Sequence, residues 1–209
     1  MKNNKRNKKC FYCMIKLIAF DLNGVLLRSG HLVSENLMSF VNKPYPFVKK
    51  KYILYSLGRI SREEFWKAVG IPPEVGEKKL AESVEINFDI NWLKSLKNNY
   101  RLAIFSNLPR EWIDILLFDR IPKEMFDFVI LSGDVGARKP DGKMYKSLLE
   151  KSGFSSNEIL FIDDKKSNLM VAKEIGMVTV WMKGKGDDAP FEPDFTIKNL
   201  SELNNLLGR

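Results

Sequence analysis

Asp21 closes the apolar run IKLIAFD (residues 15–21), with Asn23 two positions on and Gly24 suited to a sharp turn. Asp163 and Asp164 close a second run, EILFIDD (158–164), and Ser106 lies near the end of a third, RLAIFSN (101–107). Lys139 precedes Pro140 in GARKPD (136–141), after a fourth run, FDFVILSGD (126–134). A carboxylate such as Asp21 is able to attack phosphorus and carry a phosphoryl group covalently. Two adjacent carboxylates crowded near a third repel one another unless a cation sits among them. An all-oxygen donor set suits Mg2+, which keeps several waters and takes a phosphate oxygen. A hydroxyl from Ser106 and a point charge from Lys139 would serve the remaining oxygens of an anionic ester, whose charge must be offset before in-line attack. Singly, each residue has a plainer role: turn residue for Asp21, acids at a helix N-terminus for Asp163 and Asp164, a solvated loop cation for Lys139. Their recurrence at several strand ends favours the chemical role.

Near-continuous apolar runs, each followed by a helical pattern, predict a parallel sheet covered on both faces, an α/β fold. MVTVWM (177–182) adds a fifth strand, and DFTIKNLSELNNLL reads as an edge strand and closing helix. Ligands of such sheets bind beyond the carboxyl ends of the strands, where Asp21, Ser106, Asp163 and Asp164 would converge. Residues 29–88 break the alternation with helical patterns, and Ser61 with Glu64 has the spacing of a capping box. The expected organisation is a basic, disordered tail at 1–13, a core from 14–28 and 89–209, and an all-helical cap at 29–88 lying over the crevice.

The motifs DLNGVLL, FSN, GARKPD and FIDDKKSNLMVAKEIGMVTV, in this order, resemble those of the haloacid dehalogenase superfamily, in the branch with a helical cap after the first strand (subfamily I). The resemblance covers residues 15 to about 182 and implies a Rossmann-like core and a magnesium-dependent phosphatase acting on a small phosphorylated substrate. By the family pattern Asp21 is nucleophile and metal ligand, Asp164 a direct ligand, Asp163 a ligand through water, and Asn23 a ligand through its backbone carbonyl. Ser106, Asn107 and Lys139 would then meet the phosphate. Asn23 departs from the pattern, which usually has a second Asp there to protonate the leaving alcohol and activate water. General acid or base catalysis is worth ~10² to 10⁴-fold, and an amide supplies neither. Three readings follow: a phosphohydrolase whose substrate tolerates the missing acid, a degenerate protein that binds phosphorylated ligands or a partner without turnover, and a dehalogenase. Asp163 and Asp164 argue against the third.

The net charge of +8 suggests acidic partners until its location is noted. Lys2, Lys5, Arg6, Lys8 and Lys9 supply five of those charges, leaving the remainder only mildly basic, and no nucleic-acid module follows. Cys10 and Cys13, with His31 the sole histidine, fall short of the four ligands of a closed zinc site, and no disulfide framework exists. Lys16 and Asp21 interrupt the first apolar run, so neither export nor a membrane span of ~18 apolar residues is expected. Met14, immediately before IKLIAFD, is an alternative start. A cytoplasmic monomer or dimer is the expectation. His31 matches no motif and reads as a surface or hinge residue, and GKGDD (184–188) as a turn. Lys49, Lys50 and Lys51 spread around a helix and cannot share one pocket. Phe65, Trp66, Trp92 and Trp112 read as core.

Overall fold

The apolar runs become strands of one sheet in the computed structural model, which describes residues 14–28, 31–184 and 190–208. In chain order the strands are β1 (Leu17–Phe20), β2 (Leu27–Arg28), β3 (Glu85–Ile86), β4 (Arg101–Ser106), β5 (Phe128–Leu131), β6 (Ile159–Asp163), β7 (Val178–Met182) and β8 (Phe195–Ile197). The helices are α1 (Tyr45–Ser56), α2 (Arg62–Val69), α3 (Pro73–Glu82), α4 (Ile90–Lys97), α5 (Arg110–Ile113), α6 (Ser132–Val135), α7 (Gly142–Ser152), α8 (Lys166–Glu174) and α9 (Leu203–Leu206).

Six strands pair in parallel in the order β5-β4-β1-β6-β7-β8. β1 is buried throughout because its side chains alternate between two covered faces. Leu17 and Ala19 join Phe105, Phe161 and Tyr145 in one layer; Ile18 and Phe20 join Ile104, Ile162 and Val180 in the other. The chain builds outward from β1 through β4 and β5, then crosses back to continue through β6, β7 and β8. β1 is therefore flanked by the switch in strand order, the place where such sheets open a ligand crevice beyond their carboxyl ends. β8 is an edge strand and α9 the closing helix, as the sequence predicts.

The insertion carries α1 to α3. Ser61 caps α2 reciprocally: Glu64 N donates to Ser61 Oγ (3.1 Å) and Ser61 N to Glu64 Oε2 (2.7 Å). The expectation that it is wholly helical needs a correction, because Glu85 and Ile86 form β3, antiparallel to β2. Where the outgoing and returning chains run side by side, their backbone groups must pair with something, and they pair with each other. Asn87 extends this base, its N donating to Leu26 O (2.9 Å) and its Nδ2 to Val25 O (3.0 Å). Two-residue strands are too short for periodicity to reveal.

The helices above share one hydrophobic cluster with a face of the sheet. Trp112 of α5 meets Tyr52 (5.4 Å between ring centroids), Tyr55 (5.7 Å), Phe65 (5.7 Å) and Trp66 (6.0 Å). Phe65, Trp66 and Trp112 are fully buried and Trp92 partly so, in keeping with the core assignment. The tail at 1–13, with Cys10 and Cys13, and all of GKGDD beyond Gly184 lie outside the described residues. Among the described residues no helix is long and apolar enough to cross a membrane.

Candidate active site

Asp21 emerges from the buried end of β1 into a turn stitched by Gly24 N to Leu27 O (2.9 Å) and Leu27 N to Leu22 O (2.8 Å). Gly24 has φ +85°, and a Cβ there would stand 2.7 Å from Asp164 Oδ2. The position thus needs glycine twice, for its left-handed backbone and for the close approach of Asp164.

Asp21, Asp163 and Asp164 each present a carboxylate oxygen within 4.8 Å of the others'. Between them lies Lys139, whose side chain is 1% exposed. Its Nζ donates to Asp21 Oδ1 (2.9 Å), Asp163 Oδ2 (2.7 Å) and Phe105 O (2.5 Å). An ammonium has three protons, so all are committed. Asn107 brackets this lysine's backbone: Lys139 N donates to Asn107 Oδ1 (2.7 Å), and Asn107 Nδ2 donates to Lys139 O (2.9 Å). The loop between α6 and α7 is thereby pinned to the end of β4.

Asp163 is fully buried and saturated. Its Oδ1 accepts from Lys165 N (2.8 Å) and Asn168 Nδ2 (3.0 Å), and its Oδ2 accepts from Asn168 Nδ2 (2.9 Å) as well as from Lys139. Asp164 is different. Its Oδ1 is buried without a hydrogen-bond partner among the described residues, while its main-chain oxygen accepts from Trp181 Nε1 (3.0 Å). Burial, then the charges of Asp21 and Asp163, push the Asp164 carboxyl up to about 8. Burial alone would lower the Lys139 ammonium, but Asp163 and Asp21 override it and hold it above its ordinary value. Three carboxylates against one ammonium, with one buried oxygen unpartnered, match the charge and donor chemistry of a hard divalent cation.

A cavity of ≈ 330 Å³ opens above this floor. Asp21, Asn23, Ser106, Asn107 and Lys139 line it; Asp163 and Asp164 stand outside its lining. Sequence reasoning missed Asn168, placed on the first turn of α8 to reach back to Asp163; its only signal was an amide five residues after a strand-end acid. It also missed Arg138, and it set aside His31, which is exposed yet lines the cavity. Of Lys49, Lys50 and Lys51 only Lys49 reaches the lining, as helical spacing requires.

A family model described as haloacid dehalogenase-like hydrolase matches residues 18–182, and the chain belongs to that family. The pyrophosphatase PpaX of Bacillus cereus (strain G9842) is 24% identical over 217 residues, covering 92% of this chain and 96% of the relative. A HAD family enzyme from Bacteroides thetaiotaomicron, in complex with magnesium and inorganic phosphate, superposes with a TM-score of 0.68 at 22% identity, covering 84% of this chain and 98% of that one. A HAD phosphatase from Thermococcus onnurineus gives 0.65 at 25% identity, covering 93% and 98%.

Proposed function

We propose that this hydrolase is a Mg2+-dependent phosphohydrolase of the helical-cap branch, acting on a small phosphorylated metabolite through an aspartyl phosphate on Asp21. The observation that carries it is the oxygen cluster of Asp21, Asp163 and Asp164, crossed by one ammonium and left with Asp164 Oδ1 unpartnered among the described residues. Asp21, Asp164 and the Asn23 carbonyl would hold the ion; the saturated Asp163 suits a place one water away. The bound ion supplies Lewis-acid neutralisation of phosphoryl oxygens. Lys139 holds the attacking carboxylate, Ser106 offers a hydroxyl to the phosphate, and Asn107, which grips the Lys139 backbone, lines the cavity beside it. The magnesium and phosphate of the Bacteroides enzyme and the pyrophosphatase relative support this assignment.

Asn23 favours a second reading, in which phosphorylated ligands bind without efficient turnover, because position 23 carries no proton donor or base. A phosphate-release panel of esters and anhydrides, with Mg2+ or chelator, separates the two. Turnover that requires Mg2+ and falls to background in Asp21→Asn is expected. Ligand binding by the wild type with no release from any compound would establish the second reading.

A further inference from the structure

Above its floor, the described part of the cavity wall carries cations and no acid. Among the described lining residues Asp21 is the sole carboxylate, whereas Lys49, Arg138 and Lys165 accompany Lys139, and Lys139 alone is paired with acids of the floor. Arg138 comes from the loop that carries Lys139, and Lys49 from α1 of the cap. Arg138 is half-buried; its Nη1 donates to Ser56 Oγ, and its guanidinium carbon lies 5.4 Å from the centre of the Tyr52 ring. Tyr52 is itself fixed, its hydroxyl donating to Asn107 O (2.9 Å). Lys49 Nζ lies 5.7 Å from the centre of the Tyr45 ring. Neither cation pairs with a carboxylate among the described residues. A guanidinium held in place and partly out of water without a counter-ion is poised for a phosphoryl group, which its planar fork fits.

We propose that Arg138 and Lys49 form a subsite for a second phosphoryl group on the leaving side of the scissile bond, making the substrate class a phosphoanhydride. The inference rests on the phosphohydrolase reading and removes the need for an acid at position 23. An Asp21 oxygen bonds to the near phosphorus as its bond to the bridging oxygen breaks. The electron pair departs on that oxygen as orthophosphate, which Arg138 and Lys49 hold. Phosphate ionises for the second time near neutrality, so it leaves without a proton from position 23. Water then attacks the Asp21 phosphate, the bond to Asp21 breaks, and the carboxylate is regenerated. One water proton stays on the new phosphate and the other passes to the departed phosphate or to solvent. One anhydride and one water thus give two orthophosphates.

The test compares kcat/KM of the full chain with Mg2+ on inorganic pyrophosphate, 2-phosphoglycolate and p-nitrophenyl phosphate. These carry a phosphoryl group, a carboxylate and no ionised group on the leaving side. In Arg138→Gln and in Lys49→Gln, the pyrophosphate to p-nitrophenyl phosphate ratio is expected to fall about ten- to hundredfold, the worth of one hydrogen bond to a charged group. Equal losses on both substrates would make Arg138 a mere cap tether through Ser56 and overturn the subsite. A wild-type preference for 2-phosphoglycolate would overturn the phosphoanhydride class. Calorimetry with Mg2+ and methylenediphosphonate reads the subsite without turnover. The wild type should bind it about tenfold or more tighter than orthophosphate, and Arg138→Gln should lose that preference. Absence of the preference in the wild type overturns the subsite. The preference without turnover of any substrate overturns the hydrolase reading alone.

Discussion

At the amino end of the sheet, Asp127 accepts from Leu102 N (2.9 Å), Lys97 Nζ (3.0 Å) and Arg101 Nη1 (2.8 Å). At the carboxyl end, Asp164 has an oxygen with no partner among the described residues and two acids for neighbours. The titrations diverge accordingly. Burial opposes ionisation of Asp127, but the Leu102 amide and the two cations outweigh it and hold the carboxyl below its ordinary value. Asp164, pushed up to about 8, has nothing to outweigh its burial. A protein that satisfies one acid so fully is able to satisfy another. Perturbed carboxylates in clefts are common at functional sites, and the deficit supports the metal reading proposed for this cluster.

Changes at the carboxyl end should act on chemistry first. Beyond the loss of turnover in Asp21→Asn, the largest effect is expected from Asn23→Asp, which restores an acid and base. Hydrolysis of alkyl phosphates should accelerate by ~10² to 10⁴-fold. Peptide mass analysis must accompany the assay, because Asn23-Gly24 is prone to deamidation. Equal rates in undeamidated wild type and variant would require a proton donor elsewhere, on the cap.

Lys139→Ala strips the carboxylate cluster of its cation and should cost about 3–5 kcal/mol of stability, because it leaves buried charge uncompensated. Urea unfolding in chelator measures this. A cost below about 1 kcal/mol would mean that the acids relax by taking up a proton.

The smallest effects sharpen the contrast between the two ends of the sheet. In metal-free protein at pH 7, Asp164→Asn should stabilise by about 1 kcal/mol or more, since it removes a carboxyl that is ionised in the unfolded chain and that folding must hold protonated at about pKa 8. Asp127→Asn should destabilise by about 1–2 kcal/mol, since it weakens charge-assisted hydrogen bonds. The pH dependences run in opposite directions. The folded pKa of Asp127 lies below the ordinary 3.8, so its contribution is complete above 3.8 and is lost as pH falls through the folded value. The folded pKa of Asp164 is raised, so metal-free stability declines as pH climbs from 3.8 towards about 8. Thermal unfolding of both variants at pH 3 and pH 7 checks the signs; changes of the same sign would remove the distinction.

The sequence by itself determined the sheet and the floor of the site. A run such as LIAF, apolar at every position, has to be covered on both faces, which demands parallel strands under helices, and a polar residue ending such a run falls at the crevice. Asp21, Ser106, Asp163 and Asp164 were legible for that reason, as was the Ser61 cap, whose chemistry is local. Only the tertiary structure decided that Asn107 grips the backbone of Lys139, that Asn168 reaches Asp163, and that Trp112 shares an aromatic cluster with α1 and α2. The same holds for Lys49 of α1 and Arg138 of the loop before α7, which line one cavity. Periodicity tells which face of an element a side chain occupies. Which faces meet, and whether two side chains finally converge on one ligand, depends on how elements far apart in the chain pack against each other.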